Sequence, residues 1–324
     1  QYIKRAIKQY PRFSHNISAV LLRLPLNFHS PLHKSVNAQI SKTMSAPLSY
    51  GSRPRVKGAA SRWSTLWTDT LTIFWGDWLD LRVRIAQVLA SGLVSPLIYI
   101  VAFGLGLGSS LDATATPTAG DSYLEFILPG MVALSSMAIS FGGTTFSICG
   151  ERLFTKTFEE MMLVPIHPLA MHLGKMLAGI VRGVLTASSV MVVAILFTGK
   201  ILSFINPLFL IILVLNCAVF AGLGVIVGLT VQSLEMVGLF NNFLIVPMSF
   251  LGGTFFDPAA LPVALKAVVY ILPLTYTSMA LRSAAYLPIG EFPWYSIPVL
   301  LGVAIALSLV GAYNFSTLQD LGCN

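Results

Sequence analysis

Residues Ile205–Thr230 read INPLFLIILVLNCAVFAGLGVIVGLT, without one charged side chain. A bilayer core about 30 Å thick needs roughly 20 apolar helical residues to cross it. The stretch meets that length, and the strict polar/apolar alternation of a membrane barrel strand is absent. It reads as a spanning helix. Gly224 and Gly228 form a small-xxx-small pair, which permits a close helix contact without naming the partner.

Five further apolar stretches lie on either side of it. They run from Ile85 to Gly108, from Tyr123 to Ile148, from Met176 through the FTG at 197–199, from Met236 into Phe250, and from Ile297 to about Tyr313. Hydrophobic residues make up 55% of the 324, charged residues only 10%, and mean hydropathy is +0.78. A soluble domain carries about 25% charge. The expected fold is therefore an all-α integral membrane protein with six transmembrane helices.

Charge is unevenly placed. Eleven of the 20 Lys and Arg lie in residues 1–68, which hold no Asp or Glu. Beside a membrane bundle, such a segment marks the cytoplasmic side or meets anionic lipid, and nucleic acid is not expected as a partner. Residues 1–60 read as a basic, disordered extension. Two accounts stay open: an organelle targeting segment, which would imply an organelle membrane, or a start upstream of the true one at Met44, which is preferred. The loop Ser109–Ser122 holds Asp112 and Asp121 but no Lys or Arg, so both termini are expected in the cytoplasm.

Before the first span, Trp63, Trp67, Trp75 and Trp78 recur at helical spacing with Leu71 and Phe74, separated by Thr65, Asp69, Thr72 and Asp77. Indole rings favour the headgroup region, so an amphipathic interfacial helix is expected, closed by Arg82 and Arg84. Between spans two and three, CGERLFTKTFEEMMLVPIHP (149–168) groups Glu151, Arg152, Lys156, Glu159 and Glu160, the densest mixed charge of the body. It should form a short cytoplasmic helix. Arg182 is expected to snorkel to the headgroups from the third span. Its face is shared with His172 and Lys175, which leaves inward pairing with the acids around Glu159 as the alternative.

The fifth span runs into FLGGTFFDPAALP (250–262). Gly252 and Gly253 allow a bend, Asp257 with Pro258 should stop the helix, and Pro262 and Pro273 should open two helices too short to cross. The expectation is a re-entrant pair serving as an outer gate.

Several chemistries are missing from the sequence. No GxxxxGK[ST] is present, since LGKML and TGKIL lack the upstream glycine and the Ser/Thr. HExxH and GxSxG are absent, and Cys149, Cys217 and Cys323 have no metal-ligand spacing. An enzyme is not expected, nor a cofactor bound by this chain. Paired intramembrane carboxylates are missing as well, which argues against a proton- or sodium-coupled carrier. A membrane scaffold or insertion factor remains the alternative to a transporter.

Together, the Trp-rich helix, the six spans, GERLFTKTFEEMMLVPI, PMSFLGGTFFDPAALP and YILPLTYTSMALR resemble the permeases of type-2 ATP-binding-cassette exporters over roughly Ser61–Tyr313. The resemblance implies that residues 61–324 are a transmembrane domain, paired with a second permease chain as homo- or heterodimer. A separate ATPase subunit would hold ATP and magnesium. It implies that Glu151–Pro165 is a coupling helix contacting that subunit through Glu151, Arg152, Lys156, Glu159 and Glu160. It also implies export of a hydrophobic or amphipathic substrate (a drug, lipid or lipid-linked glycan) across a bacterial inner membrane. The first sixty residues depart from the family pattern.

Overall fold

The structure is a computed structural model that describes residues 59–102, 123–164, 166–258 and 261–322. The basic segment 1–58 and the loop after the first span lie outside these. The described residues are almost wholly helical, without a strand. Among the described residues, six helices are long and apolar enough to cross a membrane.

Helix α1 (Ala59–Tyr99) is continuous. The break expected between interfacial helix and first span is absent: Arg82 and Arg84 lie inside the helix, and Arg84 pairs at 3.5 Å with Asp80 one turn back. Charges that favour helix at this spacing have no reason to end one. Trp67 and Trp75 are exposed and Trp78 stacks on Phe74, while the Trp63 side chain is outside the described set.

Helix α2 (Tyr123–Gly150) runs into a π-helical turn, Glu151–Thr155, and then α3 (Thr157–Leu163). Helix α4 (Pro168–Thr198) starts where proline is favoured, because the first turn needs no N–H from it, and His167 caps Leu169 N at 3.2 Å. It ends at Gly199, whose φ of 70° suits the left-handed cap. The start expected at Met176 is thus two turns late, because His172 and Lys175 are buried in the helix rather than placed before it. A single turn, α5 (Ile201–Phe204), leads to α6 (Pro207–Thr230), capped by Asn206.

Next come α7 (Leu234–Phe240), a π-helical stretch Asn241–Ile245, and α8 (Val246–Leu251), together one span. Helices α9 (Val263–Val269) and α10 (Pro273–Tyr286) meet at 91°, and α11 (Ser296–Gly322) closes the chain.

Helices α2 and α6 form the centre: 78% and 61% of their most apolar windows are buried, against 17% for α1 and for α7–α8. The contact is close because of glycine. A Cβ at Gly224 would lie 2.7 Å from the Phe141 carbonyl oxygen, and one at Gly228 would lie 3.0 Å from Ile148 Cβ. The small pair read in the sequence therefore faces α2. Thr145 Oγ1 donates to Gly224 O at 3.1 Å across it. Asn216 adds a polar tie, donating to Ser136 Oγ at 2.8 Å and to Ala133 O at 3.1 Å and accepting from Thr277 of α10 at 2.9 Å.

Candidate functional site

Two places gather the residues singled out in the sequence, and a cleft lies between them. At the end of α2, the five charged residues of 151–160 divide into two groups. Lys156, Glu159 and Glu160 are exposed, as are Leu153 and Phe154. Lys156 has a φ of 55°, a left-handed conformation that costs a side-chain-bearing residue about 1–3 kcal/mol and turns the chain from the π turn into α3.

Glu151 and Arg152 turn inward. Glu151 Oε1 lies 2.6 Å from Lys175 Nζ, and Lys175 also holds Asp77 at 2.8 Å; Lys175 and Asp77 are both buried. The Arg152 guanidinium donates to Gly228 O at 2.9 Å, Val231 O at 3.1 Å and Leu229 O, the carbonyls at the C-terminal end of α6. Helix ends leave such carbonyls without partners, and a cation is favoured there.

One expectation fails here. Arg182 does not snorkel: it is buried and donates to Gly143 O at 2.6 Å and Ser147 Oγ at 3.4 Å, because an inward carbonyl and hydroxyl are nearer than the headgroups. The inward alternative holds in kind, but the acids reached are Asp77 and Glu151. Two carboxylates, from positions 77 and 151, are brought together on Lys175 at the α3 end of the bundle. His172 points elsewhere, buried beside Gly311 and edge-on to Phe315.

At the opposite end of α2, the helix of span five stops at Leu251, six residues before the stop expected at Asp257–Pro258. Gly252 N–H bonds Met248 O at 2.8 Å, and Gly253 takes a φ of 73°. A Cβ on Gly253 would sit 2.7 Å from Pro258, and one on Gly252 2.6 Å from Leu274. Pro258 thus fills the space that glycine leaves, and Pro262 precedes α9 as its cap, whereas Pro273 is the first residue of α10.

Three of the loop's carbonyls are held by helix side chains. Ser278 donates to Gly252 O at 2.6 Å, Arg282 to Gly253 O at 3.0 Å, and Tyr123 to Phe255 O at 3.1 Å. Arg282 is buried, also donates to Phe126 O at 3.1 Å, and stacks 3.5 Å from the centre of the Phe126 ring. Sequence reading passed over Arg282; its signal was a lone arginine in the apolar PLTYTSMALRSAAYL, a type that inside a membrane pairs or grips carbonyls.

Between these ends, a cleft of about 190 Å³ opens among α1, α2 and α7–α8. Ser91, Ser95, Ser135, Asn241 and Ser249 line it together with apolar residues such as Tyr99 and Phe250, and none of its lining residues is charged. The π-helical stretch of span five supplies Asn241 and Ile245 to the wall. Single π-helical turns within α-helices recur at functional sites.

A helical bundle of six spans, with a charged segment at one end and an uncharged cleft between its helices, is the architecture of a multi-pass membrane protein. The ABC-2 type transporter family matches residues 68–286, and the chain belongs to that family as the membrane subunit of an ABC transporter. It is similar to the inner membrane transport permease YadH of Escherichia coli strain K12, 24% identical over 225 residues that cover 69% of this chain and 85% of YadH. It is also similar to nodulation protein J of Rhizobium meliloti strain 1021, at 29% over 202 residues, 62% of this chain and 74% of the relative. Nodulation protein J of Rhizobium leguminosarum bv. trifolii is 27% identical over 226 residues, 69% and 81%.

Proposed function

We propose that this chain is the permease of an exporter in a bacterial inner membrane, driven by a separate ATPase subunit that docks on α3 and holds the ATP and magnesium. The observation that carries the reading is α3 itself. Glu159 and Glu160 stand exposed on a seven-residue helix whose base is fixed by Arg152 and Glu151, so a partner that pulls on the acids pulls on the bundle. In this orientation the α3 end and both termini are cytoplasmic, and the 252–262 loop with the bent α9–α10 pair is the outer gate, dipping back into the outer leaflet. A second permease chain completes the pathway against the sparsely buried α1 and α7–α8.

The cleft supports an amphipathic substrate. Its hydroxyl and amide groups solvate a polar head without charge, while the apolar neighbours take a hydrocarbon part. The experiment is co-purification of the tagged chain from its native membranes, with the retained subunits tested for ABC ATPase activity. The wild-type chain retains it, Glu159→Ala with Glu160→Ala loses it while eluting as a folded species, and the isolated chain hydrolyses no ATP. Hydrolysis by the chain alone, or retention by the double variant, overturns the docking assignment.

A further inference from the structure

We infer that Glu151 and Arg152, with Lys175 and Asp77, form a charged joint that carries movement of α3 into the bundle as a single unit, and that these four are positioning residues rather than ATPase contacts. The inference rests on the permease reading above. Its basis is the number of elements that meet at two adjacent residues. Through Lys175, Glu151 is tied to α4 and, by way of Asp77, to α1. Arg152 grips the C-terminal carbonyls of α6 and lies 5.8 Å from the centre of the Phe158 ring of α3, and Phe158 in turn packs 6.0 Å from Phe315 of α11.

The joint continues along one seam. Ser147, one turn before Glu151, donates to Glu151 Oε1 at 3.4 Å and accepts from Arg182 at 3.4 Å, while Arg182 holds Gly143 a further turn along. On α4, Lys175 therefore meets Glu151 of α2 and Asp77 of α1, while Arg182, two turns along, meets the Gly143 carbonyl and the Ser147 hydroxyl of α2. Gly174 lets α1 approach the same point, since a Cβ there would lie 2.8 Å from Ile73 and 3.1 Å from the Thr70 carbonyl oxygen.

Physical chemistry makes this assembly stiff. A buried ion withdrawn from its partner leaves an uncompensated charge, and that penalty exceeds what the pair contributes when intact. The Asp77, Lys175 and Glu151 side chains therefore move together or not at all, and Arg152, the next residue along the backbone from Glu151, carries the end of α6 with them. Displacing the base of α3 displaces α1, α4 and α6, and α6 reaches the far end, where Asn206 donates to Ala284 O of α10 at 3.3 Å. The far end is remote: α2 alone, at 28 residues, is roughly 42 Å long at 1.5 Å per residue.

The test places a fluorophore on Val263→Cys, 86% exposed beyond the 252–258 loop, in a Cys323→Ser background where Cys149 and Cys217 are buried. The complex of this chain with its co-purifying ATPase is reconstituted in nanodiscs, and ATP with vanadate is added. The wild-type chain and Lys175→Arg should show a fluorescence shift. In Lys175→Met and Asp77→Asn the shift should fall by about tenfold, although ATPase binding and vanadate trapping stay within about twofold of wild type. Asp77→Asn keeps the test open should Lys175→Met fail to fold. A full shift in either of these variants, or loss of ATPase binding in both, overturns the joint. If no ATPase accompanies the wild-type chain, the permease reading falls first and takes the joint with it.

Discussion

At the Glu151 end of α2 a buried ion cluster joins the helices beside Arg152, which holds the carbonyls that end α6, whereas at the Tyr123 end side chains grip the carbonyls of an irregular loop. Lys175 meets two carboxylates at 2.6 and 2.8 Å; Arg282, Ser278 and Tyr123 meet the oxygens of Gly253, Gly252 and Phe255. The far end has an ion pair too, Lys200 with Glu125 at 2.7 Å, but the Lys200 side chain is 41% exposed and so partly screened. The two chemistries constrain different things. An ion pair fixes the distance between elements and leaves the backbone of each free to be regular helix. A grip on successive carbonyls fixes the backbone conformation itself, which an irregular loop near apolar surroundings requires, since unpaired carbonyls there are costly.

Breaking the charged end should give the largest effect. Lys175→Met leaves two carboxylates facing each other without a cation, at an expected cost of about 3–5 kcal/mol, read as a lower melting temperature in detergent. Lys175→Arg, which keeps both contacts, should recover most of it. At the other end, Arg282→Met removes a charged donor from two carbonyls and should cost about 2–3 kcal/mol. There, limited proteolysis should cut first within 252–262, leaving the 151–163 segment intact. Equal loosening of both ends would mean that they are not independent.

Smaller effects test the centre and the surface. Gly228→Val forces a side chain onto Ile148 and should cost about 1–3 kcal/mol, with faster maleimide labelling of Cys149, whose thiol lies 3.9 Å from Gly228 O. Gly253→Ala, at a φ of 73° and against Pro258, should cost about 1–2 kcal/mol, visible as a small melting shift with the α3 end unchanged. Glu159→Ala with Glu160→Ala should change stability by less than about 0.5 kcal/mol because both are exposed. If that pair melts much lower than wild type, α3 is held by its acids and the contrast between its anchored base and free face disappears.

The elements differ in how far the sequence alone revealed them. The six spans were legible because crossing a bilayer demands length and apolarity, both local properties of the chain. The charged segment after Cys149 was legible as a segment, but the division between Glu151 and Arg152, turned inward, and Glu159 and Glu160, left outside, was not. That division depends on the π turn and on the left-handed Lys156, which rotate α3 relative to α2. Similarly, the glycines of 250–262 announced a break, while its position at Leu251 depended on Leu274 and Pro258 packing against them.

By itself the sequence determined that this protein crosses a membrane six times, contains no phosphate-binding loop, and interrupts its fifth span with glycine and proline. Those properties follow from hydropathy, spacing and backbone freedom, which need no neighbour. Only the tertiary structure decided that Asp77 and Glu151, 74 positions apart, share Lys175, that Arg282 holds the loop at Gly253, and that Asn241 enters a cleft with Ser91 and Ser135. A buried charge is tolerable only beside its partner, and when the partner comes from another helix, helix packing alone determines which one it is.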